Sequence, residues 1–460
     1  MAQKQHNNKL CSGANIPAFS HTIFSMQIDL LQPSPRNART HSKKQISQIA
    51  ASIRKFGFLT PILIDSEWVV VAGNGRLAAA KLLGLDQVPC FVVSHLSKAE
   101  VRALALADNK IASLAGWDEE LLALELQDIK LLDADFDVEI TGFSIAEIDG
   151  LIEGITPEEG SNPKDEALPD IVPDRVVTRT GDVWVMGGHR LVCGNALSPP
   201  VVDVLMAGNR ARMAFTDPPY NVPISGHVSG LGAAQHREFA MASGEMNKKE
   251  FTRFLTSACT VMAENCIDGA IVYVCMDWRH MDELSAAGQQ AFTEFKNLIV
   301  WVKDNGGMGT FYRSRHELIF CYKVGTATHI NSFELGQHGR YRTNCWQYRG
   351  VNAFGSGRDE ALETHPTVKP VLMIADAIKD VSRRGDIVLD LFGGSGSTVI
   401  AAHKTGRRGY LCEIDPIYCD RIVRRWQAFA KDDATLESTG QTFSEVAVER
   451  PATPAAEAAE

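Results

Sequence analysis

The chain has 460 residues, 45% of them hydrophobic, and a formal net charge of −10 at pH 7. That length can supply two substantial hydrophobic cores, but the sequence has neither an apolar stretch of membrane-spanning length nor a signal peptide. We therefore predict a cytoplasmic protein without a membrane partner. The ten cysteines are scattered without a C-x-x-C pair, which favours reduced core thiols over a metal site.

The first predicted domain covers residues 21–115 and follows a segment, 1–20, that we expect to be disordered. Its apolar residues alternate between helical and strand-like spacing, which predicts a small α+β domain. The predicted elements are a helix at 45–56, strands at 61–64 and 68–71, a helix at 77–83 and a strand at 88–93.

A glycine-containing loop, Gly73-Asn74-Gly75-Arg76, precedes the second helix of this domain. Free amides at a helix start favour an anion, so we predict that Gly73, Gly75 and Arg76 form a phosphate or nucleotide loop. Residues 28–93, with Pro35-Arg36-Asn37 among them, resemble the ParB/sulfiredoxin-like family. The resemblance implies an accessory role in which this domain binds DNA or a nucleotide.

Two departures from that family bear on the role of this domain. Asn74-Gly75 stands where ParB proteins usually have Glu-Arg, and the reactive cysteine of sulfiredoxin is absent. Peroxiredoxin repair and CTP hydrolysis are therefore disfavoured. A purely structural module with an empty loop remains the alternative.

Acidic residues concentrate outside the predicted globular parts. Residues 116–155 read as a helical connector, and 156–176 as a polar, proline-containing linker. Residues 432–460 read as a disordered acidic tail. The stretches 153–182 and 431–460 each carry a net charge of −5, so the remainder of the chain is about neutral.

Two loops in the second half of the chain each follow an apolar run that predicts a buried strand. Asp217-Pro218-Pro219-Tyr220 follows 213–215, and a glycine loop, 390–398, follows 387–389. In a doubly wound α/β sheet, ligands bind at the carboxyl ends of the strands. Both loops are therefore expected to line one crevice.

The glycine loop predicts a nucleoside cofactor. Gly393, Gly394 and Gly396 allow a ligand to approach the backbone, and Glu413, 20 residues beyond Gly393, can hold ribose hydroxyls. The usual G-x-G-x-x-G spacing is absent, which disfavours NAD. A tight strand-to-helix turn without a ligand is the alternative for this loop taken alone.

Together with His365-Pro366-Thr367-Val368-Lys369-Pro370, these loops resemble the β class of the DNA amino-methyltransferases over about 179–430. The resemblance implies a Rossmann-like methyltransferase domain with circularly permuted motif order at 177–431, and a target-recognition region at about 296–350. It also implies S-adenosylmethionine as the cofactor. The residues it implies as cofactor contacts are Asp390, Phe392, Gly393, Gly394, Gly396, Glu413, Thr367 and Lys369, the last at the methionine carboxylate.

The same resemblance assigns roles in the catalytic loop. The Asp217 carboxylate and the Pro218 carbonyl would accept the N–H bonds of an exocyclic amine, Pro219 would stiffen the loop, and Tyr220 would face the base. A base in a duplex cannot reach such a loop, which implies a flipped nucleotide in double-stranded DNA. Asp217 at the first position resembles adenine enzymes. Methylation of the N4 amine of cytosine, or a non-catalytic ParB-like regulator, remains an alternative.

The interval 296–349 carries eight basic residues against three acidic ones and is the predicted DNA surface. A solvated basic face is the competing interpretation. A homodimer and a cognate restriction enzyme both stay open. The predicted DNA-binding residues are Arg313, Arg315, Arg340, Arg342 and Arg349.

Overall fold

A computed structural model describes residues 22–133, 136–155, 165–169, 175–222, 242, 244–303, 311–332, 342–348 and 368–450. The predicted disordered segment 1–20 lies outside the described residues. The chain divides into two compact units. The first consists of Met1–Asp118 and Asp137–Phe143, and the second of Glu119–Phe136 and Ser144–Glu460.

The first unit is built on a four-stranded sheet in the order β1-β4-β2-β3. Its helix α1 begins where the Ser42 hydroxyl accepts a hydrogen bond from the Gln45 amide and ends at Gly57, whose positive φ of 84° stops the helix. The elements are β1 (Phe24–Gln27), α1 (Lys43–Phe56), β2 (Ile62–Ile64), β3 (Val70–Ala72), α2 (Asn74–Leu82), β4 (Gln87–Val92) and α3 (Lys98–Ala112). Buried Ile62, Ile64 and Val88 form its core, and the predicted α+β class is confirmed.

The second unit is built on a ten-stranded sheet in the order β11-β9-β10-β8-β7-β12-β13-β6-β5-β14. Its strands are β5 (Val183–Met186), β6 (His189–Cys193), β7 (Ala211–Thr216), β8 (Cys266–Met276), β9 (Glu294–Val302), β10 (His316–Lys323), β11 (Cys345–Gln347), β12 (Ile387–Asp390), β13 (Arg408–Glu413) and β14 (Thr435–Leu436). Its helices are α4 (Glu119–Leu132), α5 (Ile145–Ile155), α6 (Pro199–Met206), α7 (Lys248–Asn265), α8 (Met281–Ala291), α9 (Val371–Val381), α10 (Ser397–Lys404), α11 (Pro416–Ala430) and α12 (Phe443–Glu449).

The centre of this sheet is parallel. β6, β13, β12, β7 and β8 run in one direction, so their carboxyl ends meet at one edge. Met213 and Leu389, from the two apolar runs, are fully buried, as a strand covered on both faces requires. β10 pairs with β8 in the opposite direction, which brings the first residues of β10 to the same edge. The predicted Rossmann-like α/β fold is confirmed.

The predicted helical connector is part of the second unit. Asp149 of α5 is buried, and its two carboxylate oxygens each accept a 3.0 Å hydrogen bond from the guanidinium of Arg407, which precedes β13. Arg384 approaches the same carboxylate at 3.1 Å. Because a buried charge is costly unless it is paired, this ion pair fixes α5 to the parallel sheet.

Part of the predicted linker at 156–176 contacts the second unit. The Asp165 carboxylate lies 2.5 Å from the Lys404 ammonium, and the Glu166 carboxylate accepts a 2.8 Å hydrogen bond from the Val371 amide. Glu166 thereby satisfies a free amide at the start of α9. A polar composition alone could not show that these two acids have partners within the second unit.

The predicted disordered acidic tail is wrong up to Arg450, and residues 451–460 lie outside the described chain. β14 pairs with β5, and the Phe443 ring packs against Trp184 with 5.0 Å between ring centroids. The Thr442 hydroxyl and the Glu445 side chain form a capping box that starts α12. Leu436, Phe443 and Val446 supply the apolar contacts that the acidic composition concealed.

Candidate active site

A cavity of about 150 Å³ opens where the parallel strands end. The catalytic loop after β7, the glycine loop after β12 and the carboxyl end of β13 all line it, as the sequence predicted. Further lining residues are Gly194, Asn195 and Ala196 after β6, together with Ile414, Asp415 and Tyr418. Among the described residues, no group of His, Cys, Asp and Glu side chains could hold a metal ion.

The glycine loop packs too closely for side chains. A Cβ atom at Gly393 or Gly396 would lie 3.1 or 3.2 Å from side-chain carbons of Ile422. Gly394 and Gly396 also have φ values of 49° and 79°, which disfavour other residues. The loop therefore exposes backbone to the cavity just before α10 begins.

Asp390 connects the glycine loop to β7 and α10 through hydrogen bonds. Its carboxylate accepts hydrogen bonds from the Thr216 hydroxyl of β7 at 2.9 Å, the Thr398 hydroxyl of α10 at 2.6 Å and the Phe392 amide at 3.1 Å. Burial raises its pKa to about 7, because it outweighs the hydrogen bonds that favour the charged form. The Asp390 carboxylate therefore fixes the position of the glycine loop relative to β7 and α10.

Glu413 ends β13 and faces the glycine loop. Its carboxylate accepts hydrogen bonds from the Gly394 amide at 2.8 Å and the Asp415 amide at 2.9 Å. Burial raises its pKa to about 7. Each carboxylate oxygen has more than one acceptor site, so Glu413 can accept further hydrogen bonds from a ligand in the cavity.

Asp217, at the end of β7, is bound on both of its oxygens. The Tyr220 hydroxyl donates to Oδ1 at 2.6 Å, and the Lys369 ammonium donates to Oδ2 at 2.6 Å. Burial raises the pKa of Asp217, and the ammonium of Lys369 opposes that rise. Since 23% of its side chain is still exposed, the carboxylate can be reached from the cavity.

Glu317 of β10 completes a cluster of four charges. The Lys369 ammonium lies 3.1 Å from its Oε2, to which the Tyr220 hydroxyl also donates at 3.2 Å, and Lys303 pairs with Oε1. Burial opposes the charge of Glu317, but these two ammonium groups outweigh it and lower its pKa to about 2. The cluster holds two negative and two positive charges and is formally neutral.

Lys369 lines the same cavity and also contacts the catalytic loop. Its predicted contact with the methionine carboxylate of the cofactor stays a prediction, while its buried ammonium joins Asp217 and Glu317 and lies 5.4 Å from the centre of the Tyr220 ring. Two carboxylates are stronger partners for a buried cation than solvent. We therefore place Lys369 with the catalytic loop, while Thr367 lies outside the described residues.

Three family models match the chain. A DNA methylase model of the N6/N4 type matches residues 211–424, a ParB N-terminal domain model matches 17–110, and a ParB-methyltransferase HTH domain model matches 120–180. The first match contains both cavity loops. The chain carries a DNA methylase domain of the N6/N4 type and an amino-terminal ParB domain. The predicted resemblance is confirmed.

Curated relatives divide between the two parts of the methylase. The ParB-like nuclease domain-containing protein YnaK of Escherichia coli is 46% identical over 67 residues, which are 15% of this chain and 77% of YnaK. The putative methylase YubD of the same organism is 28% identical over 201 residues, 44% of this chain and 75% of YubD. The solved complex of M1.HpyAVI with SAM is 17% identical, with a TM-score of 0.38, and the match covers 51% of this chain and 97% of that one.

The predicted DNA surface of the methylase is only partly supported. Arg313 and Arg315 are exposed before β10, next to Phe311 and Tyr312, whose exposed fractions are 86% and 81%. Arg342 is instead turned inward, and its prediction as a DNA contact is wrong. Arg340 and Arg349 lie outside the described residues.

Arg342 has partners within the fold. Its guanidinium donates to Asp380 at 3.1 Å and to the Tyr348 hydroxyl at 2.6 Å, and it stacks on the Trp346 ring 4.5 Å away. Ionic and aromatic partners together outcompete solvent for an arginine in this position.

In the first unit, the predicted phosphate loop starts α2. Gly73 has a φ of 105°, and Arg76 folds back to donate to the Pro61 carbonyl at 3.3 Å. Within the part of the chain that the structure describes, Asn74 Oδ1 and Arg76 Nε are buried without a hydrogen-bond partner. Gly75 is packed against His41, where an added Cβ would meet the imidazole at 3.0 Å.

Sequence reasoning missed Glu317 and Lys303 as site residues. The sequence analysis gave neither residue a role. Their role depends on the register of the β9–β10 hairpin, in which the Lys303 amide donates to the Arg315 carbonyl at 2.8 Å. A one-residue shift would turn both side chains to the other face of the sheet.

Proposed function

We propose that this chain is a site-specific DNA methyltransferase that transfers a methyl group to the N6 amine of adenine. The observation that carries the proposal is the position of Asp217, whose carboxylate lines one cavity with the glycine loop and Glu413. A carboxylate that could bind an amine, and a glycine loop that could bind a nucleoside, thus lie in the crevice where α/β sheets bind ligands.

The cavity residues suit S-adenosylmethionine. Glu413 would accept hydrogen bonds from its ribose hydroxyls, and the backbone at Gly393, Gly394 and Gly396 would lie along it without side chains in the way. Phe392 and Ile414, which also line the cavity, offer apolar contacts for the purine. When bound, this cofactor supplies an electrophilic methyl group on a positively charged sulfur.

The catalytic loop would activate the target nitrogen. An exocyclic amine is a poor nucleophile because its lone pair is delocalised into the ring. Asp217 and the Pro218 carbonyl would accept its two N–H bonds and draw the nitrogen towards tetrahedral geometry. Its freed lone pair would then attack the methyl group, and the carbon–sulfur bond would break with the electron pair staying on sulfur. The nitrogen would finally lose one proton, which the Asp217 carboxylate could accept.

Base flipping would deliver the target to this loop. The Tyr220 ring and Pro219 line the cavity beside Asp217, where an extruded base could stack. Adenine is the proposed base because Asp at the first position resembles adenine enzymes. Cytosine N4 is the second candidate, since the matched family covers both amines.

Duplex DNA would approach over residues 311–315, which lead into β10 of the β9–β10 hairpin. Arg313 and Arg315 offer positive charge for phosphates, and the exposed Phe311 and Tyr312 rings offer surfaces for bases. The ParB domain and the HTH region would add contacts elsewhere on the DNA, which fits a chain whose acidic charge is concentrated outside this hairpin.

The test is nucleoside mass spectrometry of DNA from a methylation-deficient host that expresses the chain or its Asp217→Ala variant. We expect N6-methyladenine from the wild type and none from the variant, which should still bind S-adenosylmethionine in calorimetry. N4-methylcytosine would preserve the mechanism and overturn the base. Normal methylation by Asp217→Ala would overturn the mechanism, and a wild type that methylates neither amine would favour the non-catalytic regulator.

A further inference from the structure

We propose that Lys369 and Glu317 are positioning residues for Asp217, which keep its carboxylate ionised and correctly oriented for the target amine. The inference rests on the proposed methyl transfer and assigns to Lys369 a role at the base rather than at the cofactor. Glu317, in turn, would hold the Lys369 ammonium in place.

The geometry couples three separate parts of the fold. Asp217 follows β7, Glu317 lies in β10, and Lys369 precedes α9, yet the ammonium lies 2.6 Å from one carboxylate and 3.1 Å from the other. The side chains of Lys369 and Glu317 are only 5% and 12% exposed. Such a buried and ion-paired lysine has few conformations open to it, so the carboxylate that it binds is fixed as well.

The hydrogen bonds leave Asp217 able to act. Lys369 binds Oδ2 and Tyr220 binds Oδ1, so the plane of the carboxylate is set by two donors. Each oxygen retains an acceptor site that can receive an N–H bond. A target amine would therefore meet a preoriented acceptor and need not reorganise it.

The charges around Asp217 determine its protonation. Burial favours the neutral acid, Glu317 and Asp390 add negative charge, and Lys369 supplies the opposing positive charge. Asp217 is faced by Tyr220 of its own loop, Lys369 before α9, Glu317 of β10, Cys275 of β8 and Asp390 of β12. Lys303 acts on it through Glu317. Neutralising Lys369 should thus raise the pKa of Asp217, whereas neutralising Glu317 should lower it.

Opposite shifts in a pH profile test this role. Single-turnover methylation of a DNA duplex would be measured from pH 5.5 to 9.5 for the wild type, Lys369→Met, Lys369→Arg and Glu317→Gln, at saturating S-adenosylmethionine. We expect Lys369→Met to lose about 100-fold in rate at pH 7, a loss typical of a misplaced catalytic group, and to recover as the pH rises. The pH below which the methylation rate falls should be higher for Lys369→Met than for the wild type, and lower for Glu317→Gln. Lys369→Arg should retain a profile close to that of the wild type.

Calorimetry separates this role from cofactor binding. We expect the affinity of Lys369→Met for S-adenosylmethionine to stay within about threefold of the wild type, since removing a charged hydrogen bond to the cofactor would cost about tenfold or more. Tenfold weaker cofactor binding with an unchanged single-turnover rate would overturn the inference. So would a pH profile that moves in neither variant. A wild type without any methylation activity overturns this inference together with the proposed function, whereas an active wild type with unmoved variants overturns this inference alone.

Discussion

At the scale of single residues, the cavity shows how partners decide the state of a buried acid. Glu413 and Glu317 are both buried glutamates. Glu413 has backbone amides as partners, and its pKa rises to about 7, whereas two ammonium groups hold the pKa of Glu317 at about 2. Ionic partners therefore outweigh burial at Glu317, and neutral partners do not at Glu413.

The raised pKa of Glu413 has a consequence for stability. The unfolded chain releases this proton near pH 4.5, while the folded chain keeps it up to about pH 7. Between those values the folded state binds more protons, so the free energy of unfolding falls as the pH rises. We expect Glu413→Gln to flatten this decline in urea unfolding measured at pH 5, 6, 7 and 8.

The same variant should bind the cofactor more weakly. Loss of a charged acceptor costs about 1.5–3 kcal/mol, or about 10- to 100-fold in affinity for S-adenosylmethionine. Calorimetry would check this, with methylation mapping to show that the target site is unchanged. Unaltered affinity together with an unaltered pH slope would contradict the role given to Glu413.

At the scale of elements, the β9–β10 hairpin serves two purposes. Lys303 and Glu317 contact the charged cluster around Lys369, and Arg313 and Arg315, in the connection between the two strands, are exposed. The antiparallel register against β8 makes both possible, because it places the start of β10 at the carboxyl edge of the parallel strands.

We expect the double variant Arg313→Ala/Arg315→Ala to bind duplex DNA more weakly. Its plot of log affinity against log salt should be shallower by about 0.9 for each phosphate that the protein no longer neutralises. Fluorescence anisotropy at several salt concentrations measures both quantities. The matched control is Arg342→Ala, which should keep the salt slope and instead lose about 3–5 kcal/mol of stability through its broken buried ion pairs. If Arg342→Ala lowered the salt slope and the double variant lost stability instead, Arg342 would be the DNA contact and Arg313 and Arg315 the structural residues.

At the scale of the whole molecule, the methylase unit extends further than composition indicated. It takes in α4 and α5 on one side, anchored by Asp149 and Arg407, and β14 and α12 on the other. Part of the −5 charge of residues 431–460 thus lies on folded segments. No described helix is long and apolar enough to cross a membrane.

The folded tail can be tested by one substitution. Phe443→Ala removes a buried ring that packs against Trp184 and should lower the free energy of unfolding by about 3–5 kcal/mol. Val448→Ala is the control on the same helix, because Val448 is 81% exposed, and it should change stability by less than about 0.5 kcal/mol. Urea denaturation compares the two. Equal and small changes in the free energy of unfolding would show that the Phe443 ring does not pack in the core, as the prediction of a disordered tail requires.

The amino-acid sequence alone was enough for the features that depend on local pattern. Apolar runs identified β7 and β12, the loops after them identified the two sides of the cavity, and Glu413 followed from its spacing after the glycines. These predictions succeeded because a buried parallel strand and a glycine turn each have a short-range signature.

Which charges meet became clear only from the folded chain. The ion pair of Lys369 with Asp217 was not predicted, Arg342 was expected on DNA and lies against Asp380, and Glu317 was not expected at the site. The segment around Asp165 was expected to be a linker and that around Phe443 to be disordered, yet both make contacts with the second unit. In each case a polar residue is exposed or buried according to a partner far away in the chain, and the pairing follows from strand register and helix packing that a single sequence does not display.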